Sequence, residues 1–281
     1  MLSYRHGFHA GNHADVLKHL VLVQSLKHLT RKANPLWMID THAGAGGYSL
    51  EAGYATRNAE FANGIGRLWS RRDLPAPVQD YVQQVRVANP DGVLRHYPGS
   101  PQIALQMMRA QDRLRCFELH TTESKALREH FRDAGRRVAV VAGDGFAGLK
   151  AVLPPTSRRG LVLIDPSYEV KEHYRDVQTA IREALQRFAT GTYAVWYPLL
   201  QRCEAENLPQ ELQRLAPGDW LDVSLKITAP AADGFGMHGS GLFVFNPPWN
   251  LEAALREAMP VLVAAMGLDT AASFELRFQQ T

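Results

Sequence analysis

Short apolar runs that stop abruptly at an acid recur along the chain, and between them lie stretches whose apolar positions repeat at helical spacing. LWMIDTHAGAGG, at 36–47, is a short strand running into Asp40 and a glycine-rich turn. RCFELH at 115–120, VAVVAGDG at 138–145 and LVLIDPSY at 161–168 repeat that pattern with Glu118, Asp144 and Asp165. Val16, Leu17, Leu20, Val21, Val23 and Leu26 mark a helix over 13–30, with His and Lys between them. Helical stretches at 101–111, 122–134, 146–152 and 171–188 separate the strands. Further strands are expected at 191–198, 224–230, 241–249 and 273–278, with a helix over 251–267 before the last. Strand alternating with helix predicts an α/β class, a doubly wound and mostly parallel sheet.

One spacing departs from that plan. A βαβ unit takes about 30 residues, yet the chain from Asp40 to Glu118 is more than twice as long. The excess is assigned to a small inserted helical subdomain at 50–95, where FANGIGRLWSRRDL and APVQDYVQQVRVAN read as helices around a proline-bearing turn. Residues 1–49 and 96–281 then form the main domain with an N-terminal helical arm. YPGSPQIALQMM restarts it, with Ser100 as N-cap and Pro101 as first helical residue.

With 281 residues and 46% hydrophobic content, the chain can bury an enzyme-sized core. Its two cysteines, Cys116 and Cys203, suggest neither a disulfide framework nor a zinc–cysteine site. The N-terminus lacks the apolar core of a signal peptide, and no apolar run approaches the roughly 18 residues of a membrane span, so a cytoplasmic protein without membrane contact is expected. No apolar stripe is left over once the core is built, which favours a monomer. The net charge of +3 decides little. The pairs Arg31–Lys32, Arg71–Arg72, Arg136–Arg137 and Arg158–Arg159 would meet phosphates only if the fold gathers them on one face.

In a doubly wound sheet, ligands bind beyond the carboxyl ends of the strands, at the switch in strand order. Four such ends carry chemistry: Asp40, His42 and Gly44; Glu118; Asp144 and Gly145; Asp165. A glycine turn lets a ligand approach the backbone, and an acid on the next strand accepts from ribose hydroxyls, so these residues describe a nucleoside pocket. AGAGG is not the G-x-G-x-x-G loop of a dinucleotide site, which disfavours a pyrophosphate. His6, His9, His13 and His19 lack a carboxylate or cysteine to complete a metal shell, and no metal is expected. GLFVFNPPW, at 241–249, imitates LVLIDPSY with Asn246 in place of the acid, and at most one of the two is an active site.

In MLSYRHGFHAGNHADVLKH, DTHAGAG, the helical insert, YPGSP, SRRGLVLIDPSYE and FATGTYAVWYP followed by NPPW, the chain resembles the RlmJ type of S-adenosylmethionine-dependent adenine-N6 methyltransferases over nearly its whole length. The resemblance implies a Rossmann-like class I methyltransferase fold, S-adenosyl-L-methionine as cofactor with S-adenosyl-L-homocysteine as product, and 23S ribosomal RNA, naked or early in assembly, as partner. Class I enzymes place the catalytic tetrapeptide after the fourth strand, so Asp165, Pro166 and Tyr168 are the expected catalytic residues. Asp165 and the Pro166 carbonyl would accept the two N6 hydrogens, and Tyr168 would stack on the base. NPPW comes too late, and is read as the end of a near-edge strand stopped by prolines.

Lys18 and His19 are implied to touch the cofactor, with His42 and Ser100, while Tyr4 and His6 lie near the substrate adenosine. Ser167 stands where the family usually has a second proline, which frees the backbone between the acceptor carbonyl and the ring. Arg57, Arg67, Arg71 and Arg72 make the insert a surface for holding RNA. Two alternatives stay open: a DNA adenine or protein amide methyltransferase, and a nucleic-acid-binding module whose methyltransferase site has decayed.

Overall fold

Asn12 starts the first helix by accepting, through Oδ1, from the backbone N–H groups of Ala14 and Asp15 at 3.0 and 3.1 Å. In the computed structural model, which describes residues 6–51 and 59–280, this helix, α1 (His13–Leu29), is buried from Ala14 to Leu26. A helix hidden on all sides must partner its polar residues internally. Gln24 does so by donating to the Pro77 carbonyl and Asp80, and Asp15, Lys18 and His19 point toward the candidate site.

The elements that follow are β1 (Trp37–Asp40), β2 (Gly47–Ser49), α2 (Gly66–Trp69), α3 (Ala76–Val87), β3 (His96–Pro98), α4 (Ser100–Met107) and β4 (Arg113–Glu118). Next come α5 (Thr121–His130), β5 (Val138–Ala142), α6 (Gly145–Val152), β6 (Gly160–Ile164), α7 (Glu172–Arg187) and β7 (Thr192–Leu199). The chain ends with α8 (Cys203–Leu215), β8 (Trp220–Lys226), β9 (Gly239–Phe245), α9 (Leu251–Met266) and β10 (Ser273–Gln279).

Among the described residues eight strands form one sheet in the order β10-β8-β9-β7-β6-β1-β4-β5. From β7 to β5 it is parallel; β9 runs against both neighbours, and β10 against β8. One apolar cluster joins α1, α3, α4 and α9 to the sheet, and a second joins α6, α7 and α8 to its other face. This is the doubly wound α/β architecture expected.

Three local expectations change. β9 is third from the edge, with every residue buried, so NPPW does not follow a near-edge strand. Gly99, not Ser100, is the N-cap of α4; the Ser100 hydroxyl instead donates to Asp40. Strand β8 begins at Trp220, ahead of 224, because Asp222 within it is buried and accepts from the Tyr197 hydroxyl at 2.6 Å.

The segment read as an insert is helical where described, in a 3₁₀ turn (Glu60–Asn63), α2 and α3. Its Ile65, Leu68, Val78, Tyr81, Val82 and Val85 join the same cluster as α1 and the sheet, so it shares the main core. His9 and Asn12 both bond Glu60, and the Ile65 N–H donates to the Gly11 carbonyl at 2.9 Å, tying the insert to the start of α1. At Gly64 a side chain would drive its Cβ into that same carbonyl. Gly64→Ala is therefore expected to destabilise by about 1–3 kcal/mol, lowering the calorimetric midpoint by several degrees; an unchanged midpoint would show that the two segments are not held in this contact.

Candidate active site

The strand order reverses between β1 and β6: β1 crosses over to β4 on one side, β6 to β7 on the other. Asp40 ends β1 there, wholly buried. Ser100 donates to its Oδ2 at 2.6 Å and the His42 N–H to its Oδ1 at 3.3 Å. Burial pushes the Asp40 carboxyl up, the Ser100 hydrogen bond opposes this, and the charge of Asp165 adds to the rise; the balance leaves it at about 6.

Asp165 follows the last residue of β6 and faces the same cleft. Its Oδ2 accepts from Lys18 Nζ at 2.5 Å, and the same ammonium lies 2.8 Å from Asp15 Oδ1, one helical turn earlier in α1. Burial pulls the Lys18 pKa down, but Asp15 and Asp165 outweigh it and hold the ammonium well above the usual lysine range. Asp15 Oδ2 accepts from the Gly11 N–H at 2.9 Å. His19 Nδ1 shares a 2.7 Å hydrogen bond with the Tyr97 hydroxyl, which is 3.0 Å from that of Tyr81. Lys18 thus holds the expected acceptor carboxylate and lines the same cavity.

A cavity of about 280 Å³ opens at this point. Lys18, His19, His42, Gly44, Ser100, Glu118, Asp144, Gly145 and Asp165, all singled out in the sequence, line it, and Asp40 lies directly behind Ser100. Gly44 has φ 60°, and a Cβ there would strike the Tyr48 hydroxyl. Its N–H donates to Glu118 Oε2 at 2.9 Å, while Glu118 Oε1 accepts from the His120 N–H at 2.7 Å. Asp144 caps α6 by accepting from the Phe146 N–H at 2.9 Å, and a Cβ on Gly145 would meet the Thr41 carbonyl. Burial lowers His42 to about 4, so its ring is neutral near pH 7.

The loop after β6 departs from expectation at Tyr168. This residue is only 2% exposed, sits at φ 51°, and donates its hydroxyl to the Trp196 carbonyl at 2.7 Å. Its ring packs 4.6 Å from Tyr174 and 5.9 Å from Trp196. The ring faces the core, so it presents no open face for a base, and Ser167 lines the cavity instead. Pro166 is buried. Tyr4 and Arg57 fall outside the described residues, and so does the side chain of His6. Arg67 bonds Asn63 and Arg71 pairs with Asp73 on the surface of the insert.

The rival tetrapeptide lies at the other edge of the sheet. Because β9 is antiparallel to β7, Phe245 pairs with Tyr193 at the start of that strand, and Asn246 emerges where the parallel strands begin. Its side chain donates to the carbonyls of Ala189 and Gly191, both at 2.7 Å, its N–H to that of Asp219, and its own carbonyl accepts from Thr192. The amide nitrogen, N–H and backbone carbonyl of Asn246 are thus engaged in holding a turn.

Several cavity residues had escaped notice in the sequence: Thr41, Tyr48, Glu123, His173 and Asp176 in the lining, and Asp15 behind it. Only Asp15 left a readable signal, an acid three positions before a lysine on an otherwise apolar helix. Among the described residues no helix is long and apolar enough to cross a membrane, and no group of three or more His, Cys, Asp or Glu is arranged to hold a metal ion.

A profile of the family described as ribosomal RNA large subunit methyltransferase D, RlmJ, matches residues 33–277. The chain is 46% identical over 262 residues to the ribosomal RNA large subunit methyltransferase J of Escherichia coli K12, covering 93% of each. It is 45% identical over 267 residues to the protein of the same name from Haemophilus influenzae, covering 95% of this chain and 94% of the relative. A crystal structure of a Legionella pneumophila protein, 35% identical, matches with a TM-score of 0.87 over 96% of this chain and 98% of its own. A profile match over most of the chain, two relatives of nearly equal span and a site at the switch point agree: the chain belongs to the RlmJ family of ribosomal RNA large subunit methyltransferases.

Proposed function

We propose that the chain transfers a methyl group from S-adenosyl-L-methionine to the exocyclic N6 of an adenosine in 23S ribosomal RNA. The observation that carries this reading is Asp165, set at the carboxyl end of β6 beside the switch point, in the cavity wall, and gripped through one oxygen by Lys18. The relatives' names supply the ribosomal RNA, and the tetrapeptide supplies the amino group.

The lining suits this cofactor. Glu118, Glu123, Asp144, Asp165 and Asp176 surround the cavity, with Asp40 behind it, a donor set suited to a positively charged sulfonium and ammonium. Gly44 and Gly145 keep the backbone open to a ligand where a Cβ would already collide with the protein itself. Glu118 is positioned as the acceptor for ribose hydroxyls, Ser100 and Asp40 for the amino-acid end, and His42 stays neutral against Phe146, 5.0 Å between ring centroids. When bound, the cofactor supplies an electrophilic methyl.

The protein's own task is to present the amine. An adenine N6 is a poor nucleophile because its lone pair is delocalised into the ring. Lys18 uses Oδ2 of Asp165, which leaves Oδ1 to accept one N6–H, and the Pro166 carbonyl accepts the other. Fixing both hydrogens aims the lone pair for in-line attack. No strong base is needed, since the proton leaves after transfer. Tyr168, bonded to Trp196, fixes the loop that carries these acceptors and does not itself stack on the base.

Transfer of labelled methyl to deproteinised, unmethylated 23S rRNA tests the reading. Asp165→Ala is expected to lower transfer by roughly 10²–10³-fold, while Asn246→Ala keeps it within a few-fold and loses about 2 kcal/mol of stability through its missing hydrogen bonds. Full activity in the Asp165 variant would overturn the site. Binding has its own pH signature. As the pH falls through about 6, Asp40 takes up a proton and its attraction for a cation is lost, so cofactor affinity should weaken there and Asp40→Asn should abolish that limb. For the unliganded fold the sign is opposite: the carboxyl is raised above its usual value of about 4, so its stabilising contribution is complete below that value and lost as the pH rises through about 6. Calorimetric titration with cofactor from pH 5 to 8 separates the two; an affinity flat across that range would remove Asp40 from the site.

A further inference from the structure

Two features of the sequence remain without a task in the active site, the basic pairs and the NPPW turn, and the fold brings two of those pairs, Arg31–Lys32 and Arg158–Arg159, to the side of the sheet where NPPW emerges. At the edge of the sheet where the parallel strands begin, opposite the catalytic cleft, a second cavity of about 570 Å³ is lined by His28, Lys32, Asn34, Arg158, Arg159 and Thr192, among others. Trp249 stands beside it, 70% exposed, its ring edge-on to His28 with centroids 5.9 Å apart.

The patch is built, and its parts differ in purpose. Arg159 and Arg109 donate to the carbonyls of Leu29, Lys32 and Asn34, and so brace the loop after α1. Arg31, Lys32 and Arg158 are exposed, none of them forms an ion pair among the described residues, and Arg31 and Lys32 both lie near enough to His28 for their charges to lower its pKa. Arg158 sits at φ 50° in a turn closed by its N–H to the Pro155 carbonyl, 2.8 Å, which holds its side chain out beside the groove. The acids nearby are otherwise engaged: Asp112 is paired with Arg109, and Glu252 with Arg256. Asn246, at φ 48° with its amide nitrogen, N–H and backbone carbonyl bonded, sets the turn from which Trp249 projects.

An indole is costly to leave in water, and a protein surface seldom carries one exposed beside unpaired cations. That pairing is the chemistry of single-stranded nucleic acid recognition: cations track the phosphates and an aromatic face takes a base. We infer that the face formed by Arg31, Lys32, Arg158 and Trp249 is a second RNA-binding site, which holds a single-stranded segment of the substrate RNA by its phosphates and stacks one base on Trp249. The inference rests on the proposed RNA substrate, and it gives the enzyme a second hold on a long RNA, across the sheet from the reacting base.

The test uses the full chain and a fluorescently labelled single-stranded RNA of mixed sequence, twelve nucleotides long, with the matching duplex as comparison. Trp249→Ala is expected to weaken binding of the single strand by roughly tenfold, and Trp249→Phe to restore most of it. Lys32→Glu with Arg158→Glu should weaken binding further and reduce the slope of log affinity against log salt by roughly 1.4, the value for two phosphate contacts on a single strand. On 23S rRNA these variants should raise KM several-fold and leave kcat unchanged, whereas Asp165→Ala removes transfer and keeps single-strand binding. Equal binding by wild type and the Trp249 and charge-reversal variants overturns the inference, as does a duplex held as tightly as the strand with no loss on Trp249→Ala. If wild type fails to methylate 23S rRNA yet binds the strand through Trp249, the proposed reaction falls and this surface stands.

Discussion

The ammonium of Lys18 lies in the interior, 2.8 Å from Asp15 and 2.5 Å from Asp165, with side-chain exposures of 5%, 1% and 14% for the three. Removing three charges from water costs several kcal/mol for each ion, and only close mutual pairing makes the arrangement tolerable. That requirement constrains much of the molecule. Lys18 and Asp15 must share one face of α1, which their i, i+3 spacing provides, and α1 must lie against the carboxyl end of β6. The surrounding apolar packing of α1 against α3, α4, α9 and β9 holds it there. Without the ammonium, Asp15 and Asp165 would lose the cation they share, and the carboxylate needed as an acceptor would lose the contact that orients it.

The same logic explains why the site divides its acids. Asp40 is buried, bonded by Ser100 and raised to about 6, whereas Glu118 and Asp144 each accept from backbone N–H groups at the rim. Carboxylates so close together cannot all be ionised at equal cost. Backbone donors and Lys18 neutralise part of the field, and a cationic ligand would neutralise more. The cleft is therefore tuned to positive charge before any ligand enters, which is what a sulfonium cofactor requires and what an adenine amine, neutral itself, does not disturb.

Much of this was legible in the sequence, because strand ends bearing Asp40, Glu118, Asp144 and Asp165 follow directly from an apolar run meeting an acid. What stayed hidden was set by three-dimensional packing. Lys18 was visible as a site residue but its partner was not, since pairing across 147 positions leaves no local trace. Tyr168 reads as an exposed stacking ring from its motif, yet the left-handed turn at φ 51° and the Trp196 carbonyl carry it into the core. The strand expected from 224 starts at Trp220, because Asp222 within it is buried against the Tyr197 hydroxyl. In each case a local rule was overridden by a buried partner distant in sequence.

The two tetrapeptides show how far such a motif can be read alone. DPSY and NPPW both end buried strands, and each contains one non-glycine residue in the left-handed region, Tyr168 at φ 51° and Asn246 at φ 48°. Their fates differ through strand direction. β6 runs parallel to β1 and delivers Asp165 to the switch point; β9 runs antiparallel to β7 and delivers Asn246 to the opposite edge. There the amide nitrogen donates to the carbonyls of Ala189 and Gly191, which fixes the side chain in its turn, away from the catalytic cleft. Asp165 keeps one oxygen outside its ion pair, and its side chain belongs to the cavity wall. A strand-terminal acid or amide becomes chemistry only where the sheet places it at a cleft and the neighbouring backbone leaves it a lone pair.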